Sequence, residues 1–174
     1  MSNYITSNFS NLIFSCSVPS QWHMEHRVPD HCVVFVRQGK LLISDKGRTE
    51  EIPAGSCVFL KKDCSVRLVK ASFAGKNYEG LNIRLPQNIL EDYFQRHLKN
   101  NEFPQDFTGL SNCFMRLNRT LCLQGLLSSI ILFVEEGQDP GQEMTELKVE
   151  ELILDLLQTN IRFFPTLFDF YRDW

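Results

Sequence analysis

The residues of this sequence best suited to bind a metal ion or act as nucleophiles are its histidines and cysteines. His23, His26 and His31 fall close together near the N-terminus. In an extended segment, odd spacing sends His23 and His26 to opposite faces, and Pro29 leaves the direction of His31 unfixed. Two readings stay open for the group: a polar lining of a ligand pocket or metal site, or a solvated loop before the first barrel strand. Cys16, Cys32, Cys57, Cys64, Cys113 and Cys122 are scattered, without a CxxC pair. Zinc ribbons and dithiol redox motifs need close pairs, so the cysteines read as small hydrophobes of a reduced, cytoplasmic protein. Glu50-Glu51 and Glu150-Glu151 are sequence neighbours that point to different faces, which is the wrong geometry for paired acid–base work. No Ser-His-Asp set or phosphate loop is visible.

These residues must be positioned by a chain of 174 residues, enough for one domain with a real core. A net charge of −3 and no basic run longer than Lys61-Lys62 argue against this chain gripping a nucleic-acid backbone by itself. The N-terminus lacks the basic start and apolar run of a secretory signal. The longest apolar stretch, Ile130 to Val134, is far too short for a membrane span, so no membrane partner is expected.

Up to residue 86 the sequence predicts short strands broken by turns: 12–16, 32–36, 40–44, 48–52, 57–60, 66–69 and 78–85. After Pro86 the period lengthens. Amphipathic stretches run to about Lys99, over 118–136, and over 145–161, the last two separated by the breaker Gly137-Gln138-Asp139-Pro140-Gly141. The expectation is a mainly β fold with α: a barrel at 1–86, followed at 87–174 by a helical segment containing an antiparallel helix pair.

Gly47 to Gly55 spells G-x5-P-x-G, with Pro53 at its strand's end, and Gly39 closes the strand before. This corner resembles the second motif of the cupin superfamily, which implies a double-stranded β-barrel. Metal-dependent cupins bind their ion through three histidines and a glutamate. Aligned on Gly39 and Gly55, those positions fall on His26, Val28, Cys32 and Val58. Only His26 keeps a usual ligand type, so neither a metal nor another cofactor is expected, and no enzyme activity.

Val36–Ile43, then Glu51–Leu60, then the stretch Leu147–Leu157 are similar to the N-terminal regulatory domain of bacterial AraC-family transcription regulators, especially the subgroup controlling type III secretion. The resemblance implies an effector-sensing, dimerising domain whose DNA contacts are made by a C-terminal domain absent from this chain. The chain is then read as a piece of a longer regulator, or as a free-standing one. Its partners would be a second copy and a small-molecule effector or regulatory protein. Two other readings stay open: a metal-dependent cupin enzyme (isomerase or dioxygenase) and a ligand-free interaction domain.

The candidate pocket residues are His26, Cys32, Val34, Val36 and Val58, with Asn3, Tyr4 and Asn8 of the N-terminal arm as possible polar additions. Their types predict an apolar interior with little hydrogen-bonding equipment. The candidate dimer seam is Leu123, Leu127, Ile130, Ile131 and Val134 on one helix, with Leu147, Glu150, Glu151 and Leu154 on the next.

Overall fold

Alternation of burial along the strands sets the layers of this fold. A computed structural model describes residues 4–19, 21–101 and 108–171. It contains strands β1 (Tyr4–Phe9), β2 (Ile13–Val18), β3 (Trp22–Arg27), β4 (His31–Gln38), β5 (Lys40–Asp45), β6 (Arg48–Pro53), β7 (Cys57–Leu60), β8 (Ser65–Ala71), β9 (Tyr78–Leu85) and β10 (Phe114–Leu117). The helices are α1 (Gln87–His97), α2 (Leu121–Glu135), α3 (Gln142–Thr159) and the short α4 (Phe163–Leu167).

The strands form two antiparallel sheets, ordered β1-β2-β9-β4-β7-β10 and β3-β8-β5-β6. Among the described residues their ladders do not join, so the expected barrel is not closed. The larger sheet is covered on both faces, which is why β4 from His31 to Val36 is buried throughout. Cys32, Val34 and Val36 enter the apolar cluster shared with the smaller sheet, whereas Val33 and Phe35 enter the cluster shared with the helices. The molecule thus has three layers: small sheet, large sheet, helices.

Gly39 turns β4 into β5 at φ +78°, where a Cβ would lie 2.6 Å from the Ala71 carbonyl oxygen and 2.8 Å from the Tyr78 Cα. Only glycine fits between those two backbones. The smaller sheet uses polar edges. On β3, His23, Glu25 and Arg27 face water while Trp22, Met24 and His26 turn inward.

Three strands were not foreseen. β1 and β3 occupy the segments before and after β2, so the histidine-bearing stretch 22–27 is a strand and not a solvated loop. β10 lies within 87–174, where only helices were expected, and pairs with β7 through Phe114↔Leu60 and Leu117↔Cys57. At four residues it is too short to show a period, yet it ties the second half of the chain into the large sheet.

Candidate functional site

Between the sheets lies a cavity of about 160 Å3, bordered by Cys16, Met24, His26, Cys32, Val34, Lys70, Tyr78 and Asn82 among others. Strand period explains who reaches it. On β8, Val66, Leu68 and Lys70 share the inward face, and Lys70 pairs across the ladder with Trp22 on one side and Leu41 on the other. On β9, Tyr78, Gly80 and Asn82 occupy three successive inward positions, while Leu81, Ile83 and Leu85 pack in the helix-side cluster.

Lys70 is the residue that reading the sequence missed. It is only 8% exposed, which places an ammonium group inside an otherwise apolar layer. Its Nζ donates to Cys16 Sγ at 3.6 Å and stands 5.0 Å from the Trp22 ring and 5.5 Å from the Tyr78 ring. Both aromatic faces attract a cation. The signal was available in the strand Val66–Lys70, since a lysine at an even step from Val66 and Leu68 must face the same way.

Two buried polar atoms beside it, Tyr78 Oη and Asn82 Oδ1, have no hydrogen-bond partner among the described residues. The Tyr78 side chain leans along its strand over Gly80, where an added Cβ would meet the hydroxyl at 2.6 Å. Burial, then the neighbouring Cys16, pushes the phenol up. His26 is held below its usual pKa by burial and then by the Lys70 charge, so a neutral imidazole borders the cavity. The expectation of an apolar interior with little hydrogen-bonding equipment is therefore amended: one end carries a cation, a hydroxyl and an amide.

Of the candidate pocket residues, His26, Cys32 and Val34 border the cavity, whereas Val36 and Val58 are buried in the packing around it. The Cys32 thiol is pushed up to about 12, by burial first and Asp30 second, against the Arg84 charge. It behaves as an apolar wall and not as a thiolate. Of the N-terminal arm, Asn3 and the side chain of Tyr4 lie outside the described residues, and Asn8 donates to Asn11.

The three histidines do not converge. His23 points to solvent, His26 to the cavity, and His31 to the opposite side of the large sheet, where it stacks on Phe59 at 5.5 Å. Among the described residues no group of three or more His, Cys, Asp or Glu side chains is placed to hold a metal ion.

The helical layer divides the candidate seam. Leu123, Leu127 and Ile130 are 1%, 3% and 2% exposed inside the chain's own core, so no second copy can reach them. Ile131 and Val134 pack partly buried against that core. Glu150 is engaged by Arg96 of α1. Leu147 and Leu154, 57% and 47% exposed, and Glu151 remain on the outer face of α3, joined by Met144. Leu121 and Leu132 are exposed on α2. No helix among the described residues is long and apolar enough to cross a membrane.

Residues 31–163 match the family described as the ExsA N-terminal regulatory domain. No curated protein matches the chain in sequence. Among solved structures, apo ToxT K231A from Vibrio cholerae superposes with a TM-score of 0.64 at 14% identity, covering 97% of this chain and 60% of that one. ToxT from the same organism with an unsaturated fatty acid bound gives 0.58 at 12% identity, covering 84% of this chain and 53% of the other. ToxT bound to (E)-4-(8-methylnaphthalen-1-yl)but-3-enoic acid gives 0.53 at 13% identity, covering 84% and 57%. The chain therefore spans about 60% of the ToxT length at most among these structures.

Proposed function

The chain belongs to the family of ExsA N-terminal regulatory domains, and on that premise we propose that it senses an effector between its sheets and self-associates through its helical layer. It does so in the bacterial cytoplasm as part of an AraC-type regulator, with DNA gripped by a further domain. The observation that carries the reading is the division of labour between the layers. A cavity with a charged end lies on one side of the large sheet, and an unburied apolar stripe lies on the far side of the helices.

The stripe Met144, Leu147, Leu154, flanked by Glu151, follows the three- and four-residue steps of one helix face. The exposed Leu121 and Leu132 of the adjoining helix extend the apolar surface of that layer. A stable dimer needs about 800 Å2 from each partner, which two helices of this length supply. ToxT was solved bound to two different apolar acids, which supports a ligand-binding role for a chain of this fold. A non-enzymatic role is supported by residue type: Val28, Cys32 and Val58 occupy the positions at which metal-dependent cupins carry ligands.

The test joins this chain to a DNA-binding domain that holds its operator only as a pair. The reading predicts operator occupancy, lost when Leu147 and Leu154 are both replaced by Glu. Occupancy equal to that of the DNA-binding domain alone contradicts it.

A further inference from the structure

Strand register gathers a thiol, a cation and a phenol at one end of the cavity between the sheets. β2 and β9 pair Cys16 with Gly80, so Cys16 faces inward, flanked two residues to either side of Gly80 by Tyr78 and Asn82. The geometry points to Cys16 as a site of oxidation to sulfenic acid by a compact alkyl hydroperoxide, with Lys70 as proton donor and Tyr78 and Asn82 holding the peroxide group. This chemistry goes beyond sensing by reversible binding, and it does not depend on self-association through the helices.

Three observations carry it. First, the thiol has polar company on two sides. Lys70 Nζ donates to Cys16 Sγ at 3.6 Å, a contact that suffices whatever else Lys70 touches. The Tyr78 hydroxyl fills the space that a Gly80 side chain would take, directly across the ladder from Cys16. Second, the unpaired atoms match a peroxide group. Tyr78 is fully buried, and neither its hydroxyl nor the Asn82 amide oxygen has a partner among the described residues. A hydroperoxide is donor and acceptor at once: its O–H donates to Asn82 Oδ1, and its oxygens accept from the phenol. An unsaturated carbonyl, another electrophile that thiols attack, has no O–H and would leave the amide oxygen bare.

Third, size and walls set the alkyl group. A cavity of about 160 Å3 resembles the engineered apolar cavity of about 150 Å3 that holds benzene, so there is room for roughly eight non-hydrogen atoms. Beyond the polar cluster the walls are Val34, Leu41, Leu60 and Leu68, which hydrogen peroxide would leave unfilled. Cys32 borders the same cavity, but burial pushes its thiol up to about 12, which keeps it unreactive. Cys16 is only half-buried.

In the reaction, Cys16 Sγ attacks the terminal peroxide oxygen, and an S–O bond forms as the O–O bond breaks. The departing alkoxide keeps the electron pair and takes a proton from Lys70, which recovers one from the thiol. The sulfur is oxidised and the peroxide reduced: thiol and hydroperoxide become sulfenic acid and alcohol.

The test treats the folded chain with tert-butyl hydroperoxide or hydrogen peroxide in the presence of dimedone, which captures sulfenic acids. Peptide mass spectrometry then reads each cysteine, with the exposed Cys122 as the reference thiol. With tert-butyl hydroperoxide, Cys16 is expected to be labelled at least about tenfold faster than Cys122. The preference for tert-butyl hydroperoxide over hydrogen peroxide is expected to be greater at Cys16 than at Cys122. Lys70→Met slows labelling of Cys16 by about tenfold or more and leaves Cys122 unchanged. Tyr78→Phe, which removes only a hydroxyl without a partner, slows Cys16 several-fold. If Lys70→Met fails to fold, Tyr78→Phe and the wild-type ranking still decide. Labelling of Cys16 no faster than Cys122 overturns the site, as does an equal peroxide preference at both cysteines. A Cys16 rate indifferent to Tyr78→Phe in the folded protein overturns it too. Each of those results leaves the regulatory reading standing.

Discussion

The hydroxyl of Thr120 donates to the buried carboxylate of Asp155 at 2.8 Å and accepts from the Leu123 amide at 2.9 Å, so one side chain starts α2 and fastens it to α3. A helix-capping threonine stabilises through the otherwise unpaired amides of the first turn. Here its loss also strips a partner from Asp155, which is 7% exposed. Thr120→Ala is expected to lower the unfolding free energy by about 1–2 kcal/mol in urea titrations. Unchanged stability would mean that the cap is not what orients the helix pair.

Leu123 and Leu147 lie on neighbouring helices with opposite fates. Leu123→Ala opens a void in the core and is expected to cost about 2–5 kcal/mol of stability. Leu147→Ala, on an exposed face, is expected to change the stability of the single chain by less than about 0.5 kcal/mol. Chemical unfolding at low protein concentration separates them. Equal losses would contradict the burial that removes Leu123 from the interface.

His31 supplies a pH dependence. Its Nδ1 accepts from the Lys62 amide at 3.0 Å, its ring is buried, and Lys62 Nζ pairs with Asp169 beside it at 3.0 Å. Burial, followed by the Lys62 charge and opposed by Asp169, lowers its pKa from 6.5 to about 4. The unfolded chain therefore binds a proton between pH 6.5 and 4 that the folded chain refuses. The associated stability is fully present above pH 6.5 and is lost as pH falls toward about 4, with an upper bound of about 3 kcal/mol. Unfolding free energies measured across that window should slope upward with pH in the wild type. The slope should flatten in His31→Leu, and an unchanged slope would exclude His31 as its source.

Gly39→Ala is expected to be among the most damaging small substitutions in the sheets. Its Cβ would meet backbone atoms of Ala71 and Tyr78, which cannot rotate aside, at a positive φ. A loss of more than about 1 kcal/mol is expected from thermal or chemical unfolding. Because Tyr78 borders the cavity, the same variant should also weaken any ligand held there.

Much of this architecture was legible because period and punctuation agree. The strand at 78–85 alternates cleanly, Gly39 and Gly55 mark corners, and Pro86 separates β9 from α1. β3 escaped notice because its inward residues are Trp22, Met24 and His26, whose mixed polarity hides the alternation that burial reveals. β10 escaped because four residues cannot display a period. The site was half legible. Cys32 and His26 follow from the cupin resemblance and Val34 from its even step along the same strand as Cys32, whereas Lys70 was hidden by the usual expectation that lysines face water. The helix stripes misled for a different reason. Leu123, Leu127 and Ile130 form the most regular apolar face, and the most regular face is the one the chain buries for itself.

Sedimentation equilibrium of this chain over micromolar concentrations, wild type beside the doubly substituted Leu147→Glu, Leu154→Glu protein, tests the central claim most directly. The account predicts a reversible dimer for the wild type and a folded monomer for the variant. A wild type that stays monomeric throughout, or a variant that dimerises as tightly as the wild type, would contradict it.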